Sequence, residues 1–237
     1  MSIYAFTQLK GGNGTTTLAA NLAYQWPKPN RILVELGITG GSLAPMMGFD
    51  ITVPSSPKNL VEEGYDLAHE GELTRLSSLD QKTWLLPVLP APAIPDFPHP
   101  GEKLWWQSRV DLTTQTDMDV ICDLGLVAPE HLIIHNRVLN ASIVIVAVAR
   151  NSSEAKAAVK RLARYRDRLA VVLISKLKSL PVEITEEVGC ECLAVLPYDD
   201  AIADNAWRNI LVSQSKAKPV RDYLAAVFNL AEKLGGE

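Results

Sequence analysis

The hydrophobic positions along the chain fall into short runs that alternate with longer stretches of helical periodicity. Most of the short runs are rich in Val, Ile and Leu on both faces, as strands covered by helices on each side are. Strands are predicted at residues 3–7, 31–36, 83–89, 119–123, 142–149, 170–175 and 192–196. Helices are predicted at residues 16–25, 129–139, 153–168, 183–188, 201–209 and 219–234. This alternation predicts an α/β fold with a doubly wound, mostly parallel sheet and helices on both faces.

Length and composition favour one globular domain. A chain of 237 residues suits a single α/β domain that spans residues 1–237. With 47% hydrophobic and 21% charged residues, the chain is neither disordered nor collagen-like. The net charge of -4 gives no bulk attraction to nucleic acid, so DNA binding would need a local basic patch.

Cysteine usage and the length of the hydrophobic runs bear on the compartment. The 3 cysteines are an odd number, which favours reduced thiols in a cytosolic protein. The 4 histidines form no array with metal-ligand spacing. No run approaches the ~20 hydrophobic residues of a membrane span, and the first residues enter a strand without a charged leader. We therefore expect a cytoplasmic protein that does not contact membranes.

Residues 87–100, PVLPAPAIPDFPHP, differ from the rest of the chain because they hold six of its 15 prolines. Proline fixes φ and removes an amide donor, so the segment is predicted to be an extended surface loop. It is either a rigid connector or, together with Trp105 and Trp106, a docking surface for a partner.

The clearest candidate for chemistry is the stretch LKGGNGTTT at residues 9–17, which lies between a predicted strand and a predicted helix. Glycines let backbone amides turn inward, and the helix start adds its positive end, so phosphate is the natural ligand. The usual phosphate-binding loop reads G-x-x-x-x-G-K-[ST]. Here Leu9 stands at the first glycine and Thr15 at the lysine.

The loop resembles the deviant Walker A motif, K-G-G-x-G-K-[ST]-T, of the ParA/MinD family of P-loop ATPases. The matching residues are Lys10, Gly11, Gly12, Gly14, Thr16 and Thr17. The resemblance implies that Lys10 is the signature lysine, which reaches the nucleotide of the partner subunit in a sandwich dimer. It also implies that the residues binding the nucleotide include Gly11, Gly12, Asn13, Gly14, Thr15, Thr16 and Thr17.

Two later segments resemble further motifs of the same family. DVICDLG at residues 119–125 resembles the Walker B strand, which implies that Asp123 orients the water shell of a Mg²⁺ bound by Thr16. LAVLPYDD resembles the I-P-x-D loop, which implies that Pro197, Tyr198 and Asp199 lie near the nucleotide base. The resemblance covers nearly the whole chain and implies Mg²⁺ with ATP or ADP as cofactors.

The sequence departs from the family pattern at positions that contribute to ATP hydrolysis. Members carry D-x-D after the second strand, whereas this chain has Glu35 at the first acid and Gly37 at the second, water-positioning one. Phosphoryl transfer depends on positioning and on neutralising charge, so losing the lysine at Thr15 and the carboxylate at Gly37 predicts weak or lost hydrolysis. Ser175 or Lys176 stands where the family has asparagine, which leaves the nucleotide preference open.

The altered loop is similar to that of the TadZ/CpaE-type and BcsQ-type branches of the family, which are placement factors. We therefore expect a nucleotide-dependent homodimer that recruits a protein partner of an assembly or partition system. Two alternatives stay open. One is an active ParA-type ATPase for chromosome or plasmid partition, and the other is a nucleotide-free scaffold on the same fold.

Two helices invite other interpretations. The predicted helix 153–168 carries several lysines and arginines and could meet DNA, although a solvated helix face is favoured. The amphipathic segment 220–234 has a polar face of mixed charge, so packing as the last helix is favoured over membrane binding.

Overall fold

The computed structural model describes residues 2–29, 31–37, 43–46, 83–86, 118–127, 132–176, 179–207 and 218–236. In this part of the chain, seven strands form one sheet in the order β3-β2-β4-β1-β5-β6-β7. The strands are β1 Ile3–Gln8, β2 Arg31–Glu35, β3 Thr83–Leu86, β4 Asp119–Leu126, β5 Val144–Ala149, β6 Leu169–Ser175 and β7 Cys192–Pro197. Every pairing between them is parallel. The predicted strands and the doubly wound parallel sheet are confirmed.

The described helices connect and cover these strands. They are α1 Thr15–Gln25, α2 Leu43–Met46, α3 Leu132–Ala141, α4 Ser152–Arg161, a 3₁₀ helix at Ala163–Arg168, α5 Pro181–Val188, α6 Asp200–Trp207 and α7 Lys218–Gly235. The short helix α2 was not predicted, because four residues carry too little periodicity to distinguish a helix from a loop.

Each face of the sheet has its own hydrophobic core, since alternate residues of a buried strand point in opposite directions. Along β1, Tyr4 and Phe6 belong to the core that also contains Leu18 of α1 and Val227 of α7. The intervening Ala5 belongs to the opposite core, which contains buried residues of α3, α4 and α5. Helices on both faces explain why the strands are hydrophobic on both sides.

The prediction of one continuous helix over 153–168 is wrong. Helix α4 ends at Arg161, and the 3₁₀ helix that follows contains Tyr165 with non-helical angles of φ -109 and ψ 17. These angles accompany a buried position for the Tyr165 ring, whose hydroxyl donates a 2.7 Å hydrogen bond to Asn136 Oδ1. Tertiary burial of one aromatic residue thus overrides helical periodicity.

Some predictions fall on residues that the structure does not describe. The proline-rich segment 87–100 and the pair Trp105 and Trp106 lie outside the described residues, so their role stays a prediction. The single-domain organisation of 1–237 also stays a prediction. Among the described helices, none is long and hydrophobic enough to cross a membrane.

The order of the strands determines where a ligand can bind. Strands β2, β3 and β4 lie on one side of β1 within the sheet, and after β4 the chain crosses to β5 on the other side of β1. Open parallel sheets bind ligands beyond the carboxyl ends of their strands, at the point where the connections diverge. The loop after β1 lies at that point.

Candidate functional site

The loop between β1 and α1 depends on two glycines with positive φ, Gly12 at 80° and Gly14 at 88°. Gly14 is also close to β6, since a Cβ built on it would lie 3.1 Å from Ile174 Cδ1. Gly14 is the N-cap residue of α1 and has no side chain with which to cap the first turn. The first amides of α1 are therefore suited to an anion, because the helix itself gives them no carbonyl partner.

Thr15, at the position of the usual loop lysine, is buried. Its hydroxyl donates a 2.8 Å hydrogen bond to Gln8 Oε1, which ties the start of α1 to the end of β1. The side chain thus stabilises the loop from within and brings no positive charge to it.

Thr16 and Asp123, the two predicted Mg²⁺ residues, lie together. Asp123 pairs with Phe6 across β4 and β1, so the strand register brings its carboxylate beside the loop. Its Oδ1 accepts a 2.9 Å hydrogen bond from the Gly125 amide. Burial raises the pKa of the Asp123 carboxyl, and hydrogen bonds from the Thr16 hydroxyl and the Gly125 amide offset part of that rise.

This pair fits a divalent cation. Mg²⁺ is commonly held by one or two protein oxygens, with waters and phosphate oxygens completing the octahedron. A cation beside Asp123 would also favour the charged carboxylate, whose burial is otherwise costly. The roles of Thr16 and Asp123 as Mg²⁺ residues stay predictions.

Glu35 and Gly37, the residues at the D-x-D positions, lie next to Asp123 and Gly125. Glu35 is the register partner of Asp123, is buried, and its Oε1 accepts a 3.3 Å hydrogen bond from the Leu43 amide at the start of α2. Gly37 packs against Gly125, where an added Cβ would lie 3.2 Å from the Gly37 Cα. The first acid is therefore present at this edge of the sheet, and the second position carries no carboxylate.

A cavity of about 380 Å³ joins the loop to the segment after β7. This volume lies within the range of ligand pockets, roughly 300–1,000 Å³. The lining residues are Gln8, Gly12, Asn13, Gly14, Thr15, Thr16, Thr17, Met46, Arg150, Ile174, Pro197, Tyr198, Asp199, Ile202, Ala203 and Tyr223. The structure thus brings two segments that were predicted to bind nucleotide, separated by nearly 180 residues, to one cavity.

Lys10 lies apart from this group. Its side chain is exposed on the loop, and Lys10 and Gly11 are not among the residues that line the cavity. An exposed lysine is compatible with a contact to a second subunit, which is the role that the motif predicts. That role is not tested by a single chain.

Within the predicted loop, the side chain of Asn13 makes contacts that hold the loop in place. Its side-chain amide is buried and donates to the Val148 carbonyl at 3.2 Å and to Glu154 Oε2 at 3.1 Å. The same Glu154 oxygen accepts the Arg150 amide at 3.0 Å. Asn13 therefore attaches the loop to the end of β5 and the start of α4.

Sequence reasoning missed seven residues of the cavity, among them Arg150 and Tyr223. Arg150 directly follows β5, and its guanidinium donates to the Gly12 carbonyl and lies 4.6 Å from the centroid of the Tyr198 ring. A cation at the carboxyl end of a strand next to β1 was the signal available.

Tyr223, in α7, had no comparable signal, because it is one of several hydrophobic positions in an amphipathic helix. The structure buries the residue and leaves its hydroxyl without a hydrogen-bond partner among the described residues. Burial also raises the pKa of Tyr223, so the hydroxyl keeps its proton. A buried hydroxyl without a partner is uncommon in native proteins, and here it belongs to a residue that lines the cavity.

The basic segment of α4 and the 3₁₀ helix is partly occupied by internal contacts. Arg168 donates to the Asn140 and Ser142 carbonyls, both at 2.7 Å, and Arg166 donates to the Gly189 carbonyl at 3.0 Å. Lys156 lies 3.1 Å from Glu187. Several of these basic side chains therefore serve contacts within the protein, and DNA binding stays an unfavoured alternative.

Neither a protein-family model nor a curated protein sequence matches the chain. Solved structures do match nearly all of it, and the chain has the P-loop ATPase fold of the ParA/MinD type. A ParA family ATPase from Chlorobium tepidum TLS is 17% identical with a TM-score of 0.67, over 98% of this chain and 99% of its own.

Two MinD structures match similarly. MinD in the MinC:MinD cell division protein complex of Aquifex aeolicus is 19% identical with a TM-score of 0.68, over 100% of this chain and 96% of the matched chain. The septum site-determining protein MinD of Pyrococcus horikoshii OT3, complexed with Mg-ADP, is 19% identical with a TM-score of 0.66, over 98% and 95%. At such identities the likeness establishes the fold, and function has to be argued from the site.

Proposed function

We propose that this protein is a nucleotide-binding positioning or assembly factor that hydrolyses ATP weakly or not at all. The observation that carries the proposal is the cavity, in which the Gly12–Thr17 loop meets the Pro197–Asp199 segment while the lysine position holds Thr15. The cavity keeps the groups that bind phosphate and lacks two groups that serve its transfer.

Binding is supported by groups that do not depend on Thr15. The positive φ angles of Gly12 and Gly14 and the start of α1 provide a cradle of backbone amides for phosphate. Thr16 and Asp123 would hold Mg²⁺, Asp123 through water, and Mg²⁺ would neutralise charge on the phosphate oxygens. Tyr223, whose hydroxyl lacks a partner in the described structure, also lines the cavity and is a candidate contact for ATP or ADP.

Weak hydrolysis follows from what Thr15 and Gly37 lack. Thr15 is neutral and holds Gln8, and Gly37 cannot position a water. Removing one preorganised group from a catalytic site costs roughly 10²–10³ in rate, so two such losses predict turnover far below that of an active ATPase. Lys10, reaching in from a second subunit, is the residue that would support any remaining activity.

A role in positioning is supported by proteins of the same fold. MinD forms a complex with MinC in one matching structure and binds Mg-ADP in another. For this chain we infer a homodimer, formed face to face when nucleotide binds, that recruits a protein partner of an assembly or partition system in the cytoplasm. The exposed Lys10 is accessible to the second subunit in such a dimer.

The proposal is tested by measuring Mg-ATP and Mg-ADP binding by calorimetry and phosphate release in the same preparation. We expect binding of both nucleotides, a shift to the dimer with ATP, and phosphate release close to the uncatalysed rate. Lys10→Ala should keep nucleotide binding and lose the dimer.

The two alternatives give different results in these measurements. Vigorous phosphate release that DNA stimulates would support a partition ATPase and overturn the proposal that hydrolysis is weak or lost. No binding of either nucleotide at millimolar concentration, with no thermal shift, would support a nucleotide-free scaffold.

A further inference from the structure

Arg150 is a second basic residue beside the phosphate loop, contributed by a different part of the chain. It directly follows β5, the neighbour of β1, so the sheet itself brings the residue to the loop. Its amide is held by Glu154 Oε2 at 3.0 Å, and Asn151 caps α4 by accepting the Glu154 amide at 2.9 Å. The backbone that carries Arg150 is therefore fixed.

The guanidinium of Arg150 lies between the two segments that meet at the cavity. It donates to the Gly12 carbonyl on the loop side and lies 4.6 Å from the centroid of the Tyr198 ring on the other side. A guanidinium has five N–H donors in a planar fork, so the bond to Gly12 leaves donors for another acceptor. Phosphate oxygens are acceptors that match this fork.

Charge distinguishes Arg150 from the other cation near Tyr198. Lys176 Nζ lies 5.1 Å from the centroid of the same ring, but it is 3.6 Å from Asp200 Oδ2. Within the described part of the chain, no carboxylate forms a salt bridge with the Arg150 guanidinium. Arg150 lines the cavity, and Lys176 does not.

We propose that Arg150 binds the phosphates of the nucleotide and supplies the positive charge that Thr15 does not. This inference rests on the proposed nucleotide binding. Because Arg150 lies between the loop and Tyr198, it contacts phosphates near the nucleoside, which ADP and ATP share. The loop lysine has thus been replaced by an arginine from the end of β5, and the site retains a cation for binding.

The test compares Arg150→Gln with the wild type by calorimetry, using Mg-ATP, Mg-ADP, inorganic pyrophosphate and adenosine as separate probes. We expect Arg150→Gln to weaken ATP, ADP and pyrophosphate about 10- to 100-fold, as loss of charge-assisted hydrogen bonds does. Adenosine should bind the variant and the wild type equally. Arg150→Lys should recover part of the lost affinity, because it keeps the charge without the fork.

Arg164→Gln is the matched control. Arg164 also lies over a tyrosine ring, with Cζ 4.9 Å from the Tyr165 centroid, but it is remote from the cavity lining. This variant should bind all four probes as the wild type does. Urea unfolding without nucleotide establishes that each variant is folded.

Two results would overturn the inference while leaving the proposed function intact. In the first, the wild type binds nucleotide, and Arg150→Gln binds pyrophosphate and ADP with affinities within twofold of the wild-type values. The other is an equal loss for adenosine and pyrophosphate, which would make Arg150 a packing residue on Tyr198. Failure of the wild type to bind any nucleotide would overturn both the inference and the proposed function.

Discussion

The two ends of the cavity are built from different kinds of group. At the loop end, the glycine-containing backbone of residues 12–17 and the start of α1 line the cavity, with Asp123 buried beside Thr16. At the end formed by the segment after β7, the lining consists of residues of that segment, α6 and α7. These far-end residues are Tyr198, Ile202 and Tyr223.

The difference explains how the loop can lose its lysine and still be expected to bind phosphate. Amides directed at a ligand do not depend on which side chain follows the last glycine, so Thr15 can take an internal role. The far end has no such freedom, because each contact there depends on one side chain. Changes to the backbone should therefore damage the loop end most, and changes to side chains should damage the far end most.

The largest effect is expected from Gly14→Ala. A Cβ at φ 88 is strained and would lie 3.1 Å from Ile174 Cδ1, so the variant should lose about 1–3 kcal/mol of unfolding free energy and most nucleotide affinity. Urea unfolding and calorimetry measure the two losses. Gly11→Ala is the control, since a Cβ there meets nothing within 4 Å, and it should change little. Equal losses in both variants would contradict a cradle that depends on the conformation of Gly14.

At the far end, Tyr223→Phe should have opposite effects on stability and binding. Removing a buried hydroxyl without a partner should raise the free energy of unfolding by about 1 kcal/mol. The same change should weaken adenosine binding severalfold if the hydroxyl contacts the nucleoside. Tyr165→Phe is the matched control, and it should lower stability by about 1 kcal/mol, because its hydroxyl donates to Asn136 at 2.7 Å. Destabilisation by both variants would show that Tyr223 has a partner in solution.

A smaller effect is expected from Thr15→Val at the loop end. The variant keeps the side-chain shape and removes the 2.8 Å hydrogen bond to Gln8, which should cost about 1 kcal/mol in urea unfolding. Nucleotide affinity should fall less than threefold, since the amide of residue 15 remains. A loss of affinity as large as that of Arg150→Gln would mean that the Thr15 hydroxyl itself binds phosphate.

The smallest effect is expected from Lys176→Gln. Its 3.6 Å salt bridge with Asp200 joins two exposed side chains, and such pairs contribute about 0–1 kcal/mol. The melting temperature should fall by no more than about 2–4 °C, the shift that about 1 kcal/mol produces in a domain of this size. Nucleotide affinity should stay near that of the wild type. A tenfold loss of affinity would indicate that Lys176, and not Arg150, is the cation that binds phosphate.

Local sequence was sufficient for features that depend on neighbouring residues. All seven strands were predicted, because buried parallel strands are continuous hydrophobic runs, and Gly12 and Gly14 were singled out by the spacing of the loop. Motif resemblance predicted that Thr16 and Asp123 serve one Mg²⁺, and the Thr16 hydroxyl does lie within hydrogen-bond distance of the Asp123 carboxylate, while the Mg²⁺ role stays a prediction. The break in the helix after Arg161 was not predicted, since the buried Tyr165 that accompanies it packs against a distant helix.

The sequence by itself therefore determined the α/β alternation, the phosphate-type loop and the absence of a lysine and a carboxylate at Thr15 and Gly37. Tertiary structure decided what surrounds that loop. The order of the strands brings Arg150 from the end of β5 to the cavity, because parallel strands joined by crossovers align their carboxyl ends from distant parts of the chain. The packing of α7 against α1 and β7 brings Tyr223 to the same cavity. The spacing of these residues along the chain does not predict that they lie close together. Their side-chain contacts are seen only in the folded molecule.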